Sequence, residues 1–318
     1  MNKIDMHFHT TLSDWKFTNE QVIDEAKGKW LEFIVATEHD IINTELVNLA
    51  TKKGIKSIEW VEISSHDDKI LKKSLHLTCY ANQFSGQIID ILDKSRNGRI
   101  EKIKTQIRVL NSNWFNLNYD DFIAYFTSKW FRVDNLNNAH IDEFFFLLYE
   151  NRKLLSEITG QEIWSPEFIW KCLIPNWEFS HLWWWAVDKY EPTVTEIWNI
   201  SKESWYFLSL AHPNFTFQED FDLFKKFIEE YKWVFNWIEI NSLASKEWVQ
   251  TILETSKKHN MILTFWSDDH FVRDRIDLKH WKFWELNPHM SEWQITRQYK
   301  YFCFMMVVLD TLKKSWNY

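Results

Sequence analysis

The sequence is short of glycine. It has 5 Gly among 318 residues, whereas glycine makes up about 7% of an average protein. It also has 21 Trp, although its 45% hydrophobic and 26% charged residues are ordinary. These bulk values exclude disordered, collagen-like and coiled-coil proteins. The tryptophan excess therefore needs an explanation of its own.

Cysteine is also scarce. The three cysteines, Cys79, Cys172 and Cys303, are too few and too scattered for a disulfide framework or a thiolate zinc site. A reducing, cytoplasmic location is the expectation from this pattern, and no secretory signal is recognisable at the start of the sequence.

Long apolar runs and positive charge are missing too. The longest apolar stretches, 181–187 and 302–309, fall short of the roughly 18–20 residues that span a bilayer, so no membrane association is predicted. A net charge of −8 argues against a non-specific nucleic-acid binder, which needs a basic surface. It permits a small phosphorylated substrate held by metal ions. No stable protein partner is indicated.

Strand-like and helix-like segments alternate over the first 80 residues and again after residue 194. Such βα repeats predict an α/β protein with parallel strands and outer helices, in the form of an open sheet or a closed barrel. A longer helical stretch interrupts them. The predicted organisation is a first barrel part at 1–98, a helical insertion at 99–190, and a second barrel part with a C-terminal helix at 191–318.

Acidic and imidazole side chains stand at the ends of successive predicted strands. In α/β barrels the loops at those ends converge on the active site, and buried Asp, Glu and His are costly unless they are paired or bind a ligand. Each position alone favours a packing role, but the ordered set favours a multinuclear metal site. The candidates are His7, His9, Asp14, His39, Glu62, His76, His212, Asp268 and His270.

These motifs resemble the PHP (polymerase and histidinol phosphatase) superfamily. The resemblance rests on Asp5-Met6-His7-Phe8-His9-Thr10, Ser13-Asp14, Thr37-Glu38-His39-Asp40, Val61-Glu62-Ile63-Ser64-Ser65, Ala211-His212-Pro213 and Ser267-Asp268-Asp269-His270. Within the superfamily, the insertion with Asn138-Ala139-His140 is most similar to the TrpH-like branch. Glu38 stands where that family has Asp.

The resemblance implies a distorted (β/α)7 barrel with an inserted helical subdomain and three divalent metal ions. Mixed imidazole and carboxylate ligands suit Mn, Fe or Zn. The implied ligands are His7, His9, Glu62 and Asp268 for one ion, Glu62, His76 and His212 for a second, and Asp14, His39 and His270 for a third. The same set, without His76 and His212, is implied as catalytic.

The implied activity is that of a metal-dependent phosphoesterase. Its substrates would be nucleotides or short 5′-phosphorylated RNA or DNA, and its mechanism would use a metal-bridging hydroxide as phosphatases and 5′–3′ exonucleases do. His140 and Arg132 are the candidates for binding the phosphate, although the Arg-Pro-His of the family is Asn138-Ala139-His140 here. The alternatives are a histidinol-phosphate phosphatase and a non-catalytic metal-binding remnant.

The tryptophan excess falls on family motifs. Seven positions where this family has glycine carry Trp in this chain: Trp15, Trp30, Trp60, Trp205, Trp237, Trp266 and Trp284. Glycine at such sites supplies positive φ or close backbone approach, which Trp does not supply cheaply. The hypothesis is that UGA codons, read as glycine in the source organism, are written here as Trp; the alternative is a genuinely Trp-rich protein. Under the hypothesis the glycine form is the more active phosphoesterase.

Overall fold

The computed structural model describes residues 3–266, except 82, 85, 170–189 and 205, together with 287–291, 294, 297 and 300. The strands are β1 (Lys3–Phe8), β2 (Leu31–Ala36), β3 (Trp60–Asp67), β4 (Lys73–Tyr80), β5 (Phe207–Leu210), β6 (Trp237–Asn241) and β7 (Ile262–Trp266). The helices are α1 (Asn19–Gly28), α2 (Thr44–Lys52), α3 (Gly86–Ser112), α4 (Tyr119–Ser128), α5 (Asn138–Leu147), α6 (Tyr149–Thr159), α7 (Pro166–Phe168), α8 (Val194–Ser204), α9 (Pro213–Phe217), α10 (Phe221–Tyr231) and α11 (Lys246–His259).

The described strands form two sheets. β1 and β2 pair in parallel, and the second sheet has the order β3-β4-β5-β6-β7. β4 runs antiparallel to both β3 and β5, whereas β5, β6 and β7 are parallel. β1 lies beside β7, and a single bridge pairs His39 with Glu62 between the sheets. The protein is therefore mixed α/β, and its described strands do not close into the expected (β/α)7 barrel.

Local sequence signals explain where several helices begin and end. The Thr18 hydroxyl accepts from the Gln21 amide, and the Gln21 side chain accepts from the Thr18 amide, so α1 starts with the capping box that the sequence predicts. Gly54 lies two residues after the last residue of α2, and its φ of 80° is the left-handed conformation that glycine adopts without cost.

Four hydrophobic clusters hold the described helices and sheets together. One packs α8, α10 and α11 against the five-stranded sheet, and another packs α1 and α2 against β1 and β2. A small aromatic cluster that includes Trp60, Tyr80 and Trp237 lies between strands of both sheets. The fourth is built only from residues within 103–169, so part of the predicted insertion has its own core. The predicted domain boundaries remain predictions.

Several element predictions differ from the structure. Helices expected at 87–94 and 100–110 form the single helix α3, and one expected at 142–155 is divided into α5 and α6. Antiparallel pairing in β3-β4-β5 replaces the parallel strands expected there. The expected C-terminal helix at 292–314 lies almost wholly outside the described residues. No helix in the described part of the chain is both long and apolar enough to cross a membrane.

Candidate metal centre

Glu62 is the centre of a buried cluster of imidazoles. It lies on β3 with a fully buried side chain. Its Oε1 is 3.2 Å from Nδ1 of His76 on β4 and 2.8 Å from Nε2 of His212, which follows β5. Because β3, β4 and β5 are neighbours in one sheet, their pairing brings these three side chains together.

The other carboxylate oxygen of Glu62 faces a second group of histidines. Oε2 lies 3.0 Å from Nδ1 of His39 and 3.6 Å from Nε2 of both His7 and His9. His7 and His9 share one face of the chain at the end of β1, as residues two apart in a strand do, and their ring centroids are 5.3 Å apart. Glu62 therefore lies between two sets of imidazoles, as a bridging carboxylate would.

Asp14 extends the cluster on the His39 side. Its carboxylate lies 3.5 Å from His9 Nδ1 and 3.3 Å from His39 Nε2. The Asn137 side chain, at the start of α5, donates to Asp14 Oδ2 at 2.8 Å. A residue of the predicted insertion thus fixes one of the candidate metal ligands from outside the sheet.

Glu38 holds the loop that carries Asp14. It is fully buried, and its carboxylate accepts hydrogen bonds from the Thr10 amide at 3.0 Å and from the Thr10 and Ser13 hydroxyls at 2.5 Å. Asn43 also donates to it, at 3.0 Å. Although Glu38 is one methylene longer than the Asp of the family motif, its carboxylate therefore still holds this loop through several hydrogen bonds.

The protonation balance of the cluster is strongly perturbed. Burial by itself raises the pKa of Glu62, but the imidazoles of His76, His7 and His39 outweigh it and hold the pKa well below its usual range. Burial by itself lowers the pKa of His39, but Asp14 and Glu62 raise it to about 10. Protons are thus held on imidazole where a cation would otherwise balance the carboxylates.

The donor set fits divalent metal ions. Three groups of side chains each offer ligand atoms within 4.8 Å of one another: His7, His9 and Glu62; His9, Asp14 and His39; His39, Glu62 and His76. Imidazole and carboxylate without thiolate suit Mn, Fe or Zn. The predicted ligands Asp268 and His270 lie outside the described residues, so their roles and the number of ions remain predictions.

A second network ties the insertion to the residues after β2. Arg99 on α3 pairs with the buried carboxylate of Asp40, which follows His39 in the chain. Arg99 also donates to the Asn135 side chain at 2.7 Å, and Asn135 in turn donates to the His39 carbonyl at 2.8 Å. Sequence reasoning did not identify Arg99 or Asn135, since both are distant in sequence from Asp40 and belong to no family motif.

A pocket of about 220 Å³ opens beside the cluster, and its lining includes His39, His76, Lys102 and Asn138. Lys102 comes from α3 and Asn138 from the first turn of α5, so the insertion covers the cluster on this side. The position of Lys102 in this lining brings a cation close to the candidate metal ligands.

The two predicted phosphate-binding residues lie elsewhere. His140 is fully buried, bonded to Asn137 and packed edge-on against Phe126 and Phe131. Burial lowers the pKa of His140 to about 3, so its ring is neutral. Arg132 is about half exposed and pairs with Asp134 at 2.6 Å. Neither lines the pocket described above.

Tryptophan takes up glycine-like positions in the structure. Trp30, Trp114 and Trp130 have φ values of 60°, 72° and 67°. Trp30 agrees with the sequence hypothesis, while the other two had not been singled out. Trp15 and Trp60 are buried rather than at positive φ. Trp205 and Trp284 and the side chain of Trp266 lie outside the described residues.

Comparisons with known proteins identify the fold. No family model and no curated protein sequence matches the chain. A protein from Bifidobacterium adolescentis, provisionally named a metal-dependent phosphoesterase, is 16% identical with a TM-score of 0.66, over 93% of this chain and 95% of its own. An amidohydrolase from Chromobacterium violaceum, solved with sulfate and no metal, is 16% identical with a TM-score of 0.67, over 93% and 96%. This chain has their fold.

A third solved structure is less similar. A two-domain protein from Bacteroides vulgatus, described as containing a PHP-like metal-dependent phosphoesterase, is 14% identical over 85% of this chain and 52% of its own, with a TM-score of 0.38. That score is too low to establish a common fold.

Proposed function

We propose that this chain is a metal-dependent phosphoesterase of the PHP superfamily that hydrolyses phosphate esters of nucleotides or short 5′-phosphorylated oligonucleotides. The observation that carries the proposal is the position of Glu62, with His76 and His212 on one carboxylate oxygen and His39, His7 and His9 on the other. A fully buried carboxylate among so many imidazoles is a costly arrangement for packing alone.

The donor set gives each side chain a defined role. His7, His9, Asp14, His39, Glu62, His76 and His212 would hold the cations, with Asp268 and His270 completing the set. Divalent ions bound there would supply a hydroxide nucleophile at neutral pH and stabilise the charge that develops on the phosphoryl oxygens. Neutral imidazoles and ionised carboxylates are the forms that bind metal, and burial keeps competing water away from them.

The pocket beside the cluster would receive the phosphate. Lys102 would bind a phosphoryl oxygen as a cation, and the Asn138 amide, on the same pocket wall, would orient it. At about 220 Å³ the pocket is smaller than the roughly 300–1,000 Å³ of whole-ligand sites. It therefore suits the phosphate-bearing end of a substrate, with the remainder outside. The sulfate bound by the Chromobacterium violaceum protein of this fold is likewise a tetrahedral oxyanion.

A phosphate-release assay tests the proposal. The purified protein with added Mn²⁺ is offered mononucleotides, 3′,5′-bisphosphates, short 5′-phosphorylated RNA and DNA, and histidinol phosphate. Release from the nucleotide substrates, lost in Glu62→Ala and His39→Ala, is the expected result. Glu229→Ala is the matched control, because that carboxylate lies on α10 among surface lysines.

The other outcomes separate the alternatives. Release from histidinol phosphate alone would assign the protein to that phosphatase activity. Tight Mn²⁺ binding without release of phosphate or of mononucleotides from any substrate would favour a non-catalytic metal-binding protein. Phosphate release that persists in Glu62→Ala would contradict the assignment of the site.

A further inference from the structure

A second buried carboxylate, Glu239, lies next to the metal centre. It is in the middle of β6, a strand that is buried along its whole length, and its side chain is fully buried. The sequence around it, Trp-Ile-Glu-Ile-Asn, carries no catalytic motif, and Glu239 is not among the predicted ligands. A buried carboxylate with no role would be a considerable cost to folding.

The two oxygens of Glu239 contact two different candidate metal ligands. Oε1 lies 3.6 Å from Nδ1 of His7 and accepts a hydrogen bond from the Thr78 hydroxyl at 2.5 Å. Oε2 accepts from the backbone amide of His212 at 2.9 Å. One carboxylate therefore connects β1, β4 and the end of β5.

The Glu239 carboxylate lies on one particular side of the His7 ring. The Nδ1 edge of the His7 ring faces Glu239, while Nε2 faces Oε2 of Glu62 at 3.6 Å. A carboxylate beside Nδ1 favours the tautomer with a proton on Nδ1, which leaves the lone pair of Nε2 directed at the cluster. This is the orientation in which an imidazole binds a metal ion.

The contact with His212 acts on the backbone. His212 has a φ of 27°, a value that non-glycine residues rarely adopt. The hydrogen bond from the backbone amide of His212 to Glu239 holds the turn between β5 and α9 in that conformation. The His212 ring then lies with Nε2 at 2.8 Å from Oε1 of Glu62. His7 and His212 face opposite oxygens of Glu62, so Glu239 affects both sides of the centre.

We infer that Glu239 is a positioning residue that sets the His7 ring and the His212 turn together for metal binding, an inference that rests on the metal centre of the proposed function. Glu239 is not one of the residues that line the pocket described above. Its effect is carried by the two histidines.

Glu239→Gln is the direct test. Glutamine keeps the size of the side chain but has one acceptor oxygen, so its NH₂ group must face either the His212 amide or the His7 and Thr78 donors. Outer-shell partners of metal ligands contribute about 10–100-fold to metal affinity. We expect Mn²⁺, titrated into metal-depleted protein by calorimetry, to bind about 10–100-fold more weakly to Glu239→Gln than to the wild type.

Two further measurements separate positioning from a general structural role. The visible absorption spectrum of the Co²⁺-loaded protein reports ligand geometry, and it is expected to change in Glu239→Gln. Glu143→Gln is the matched control, since Glu143 is also buried but lies on α5 beside Tyr125. That variant should keep the wild-type Co²⁺ spectrum and Mn²⁺ affinity.

Thr78→Val provides a second route if Glu239→Gln does not fold. It removes the hydroxyl that donates to Glu239 and keeps the shape of the side chain, and a smaller loss of Mn²⁺ affinity with a changed Co²⁺ spectrum is expected. Wild-type affinity and spectrum in the folded variant of either kind would overturn the inference. A wild-type protein that binds no Mn²⁺ would instead refute the metal centre itself.

Discussion

The indole of Trp60 and the phenol of Tyr80 face each other across β3 and β4 with ring centroids only 3.0 Å apart. Aromatic pairs normally keep their centroids 4.5–7 Å apart. A third ring, that of Trp237, lies 4.5 Å from Tyr80. Position 60 therefore has less room than an indole needs, which supports the hypothesis that glycine belongs there.

Replacing Trp60 by glycine should stabilise the protein. Relief of overpacking is expected to raise the free energy of unfolding by about 1–3 kcal/mol, measured by denaturant titration. Trp248 is the control: it is also buried, packs against Phe221 and Phe224, and donates to the Gln218 carbonyl. Trp248→Gly should lower stability by at least about 3–5 kcal/mol. A loss of that size in Trp60→Gly would refute the hypothesis.

The hypothesis that glycine belongs at some Trp positions also applies to Trp30, Trp114 and Trp130, which follow the ends of three helices. Trp130 donates to the Thr127 carbonyl at 3.1 Å while Phe131 donates to Phe126 at 3.1 Å. Just after α2, the Gly54 amide likewise donates to the carbonyl three residues back, that of Thr51, at 3.1 Å. The next amide, that of Ile55, donates to the carbonyl five residues back, as the Phe131 amide does. Trp114 repeats the pattern of Trp130 at the end of α3, and the Trp30 amide donates three residues back.

Each of Trp30→Gly, Trp114→Gly and Trp130→Gly should raise stability by about 1 kcal/mol, because the left-handed conformation costs an L-residue roughly 1–2 kcal/mol. Trp233→Gly is the control, since Trp233 is similarly exposed but is not among the positive-φ residues of the described chain. Its replacement should give no gain. The gene provides an independent check: UGA is expected at positions 30, 60, 114 and 130 and UGG at 248, and UGG at all of them would end the hypothesis.

Lys102 and Arg132 give opposite expectations for catalysis. Lys102→Met should lower kcat/KM for phosphoester hydrolysis by about 10- to 100-fold, because a charged hydrogen bond contributes about 1.5–3 kcal/mol. Arg132→Met should leave it near the wild-type value, since Arg132 pairs with Asp134 outside the pocket lining. Steady-state kinetics with the best substrate of the assay measures both effects. A larger loss of kcat/KM in Arg132→Met than in Lys102→Met would instead assign phosphate binding to Arg132.

The Asp40–Arg99 pair should be important for stability. Both side chains are buried, and removing one partner of a buried pair leaves an uncompensated charge that costs about 3–5 kcal/mol. Arg99→Met is expected to lose that amount in denaturant unfolding, while Asp40→Asn combined with Arg99→Met should lose less. Arg132→Met, which breaks an exposed pair, should change stability by less than about 1 kcal/mol. A loss in the double variant equal to the sum of the losses in Asp40→Asn and Arg99→Met would show that the two charges are not coupled.

Metal binding should become stronger as pH rises. The pKa of His39 is raised to about 10 by Asp14 and Glu62 against the effect of burial, so the metal-free protein carries a proton there at neutral pH. That proton must leave before a cation binds. Apparent Mn²⁺ affinity should therefore rise between about pH 6 and 9, with proton release detected by calorimetry in buffers of different ionisation enthalpy. Binding without proton release would contradict this protonation state.

The fold was predictable where local signals are strong. The apolar run Leu31–Ala36 predicts a strand, and β2 has these bounds; Thr18-Asn19-Glu20-Gln21 predicts the capping box at which α1 begins. Strand direction in β3-β4-β5 was not predictable, since hydrophobic periodicity marks a strand but not the orientation of its neighbour. The sequence predicted two helices where the structure has the single helix α3, because the stretch 93–99 between them is polar. The helix continues through this stretch, where Arg96 and Arg99 donate hydrogen bonds to Asp40.

The candidate site was predictable to a similar degree. Seven candidates were recognised from their fixed order at predicted strand ends, in the loop after the first strand for Asp14, and within the fourth strand for His76. The structure brings these seven residues together: His7, His9, Asp14, His39, Glu62, His76 and His212. Asn137, Arg99 and Glu239 were not recognised. Their contacts join positions 123, 59 and 161 residues apart, with Asp14, Asp40 and Thr78 respectively, and no short pattern encodes such distances.

The sequence by itself indicated the type of site, since the identity and order of its imidazoles and carboxylates favour a metal site over packing. It also singled out one tryptophan, Trp30, that has the positive φ typical of glycine. Only the tertiary structure decided which carboxylate lies between the imidazoles, which lysine lines the pocket and which second carboxylate orients His7. Those choices depend on strand pairing and on the docking of the insertion, because burial and distance, rather than residue type, set the charge and direction of each group.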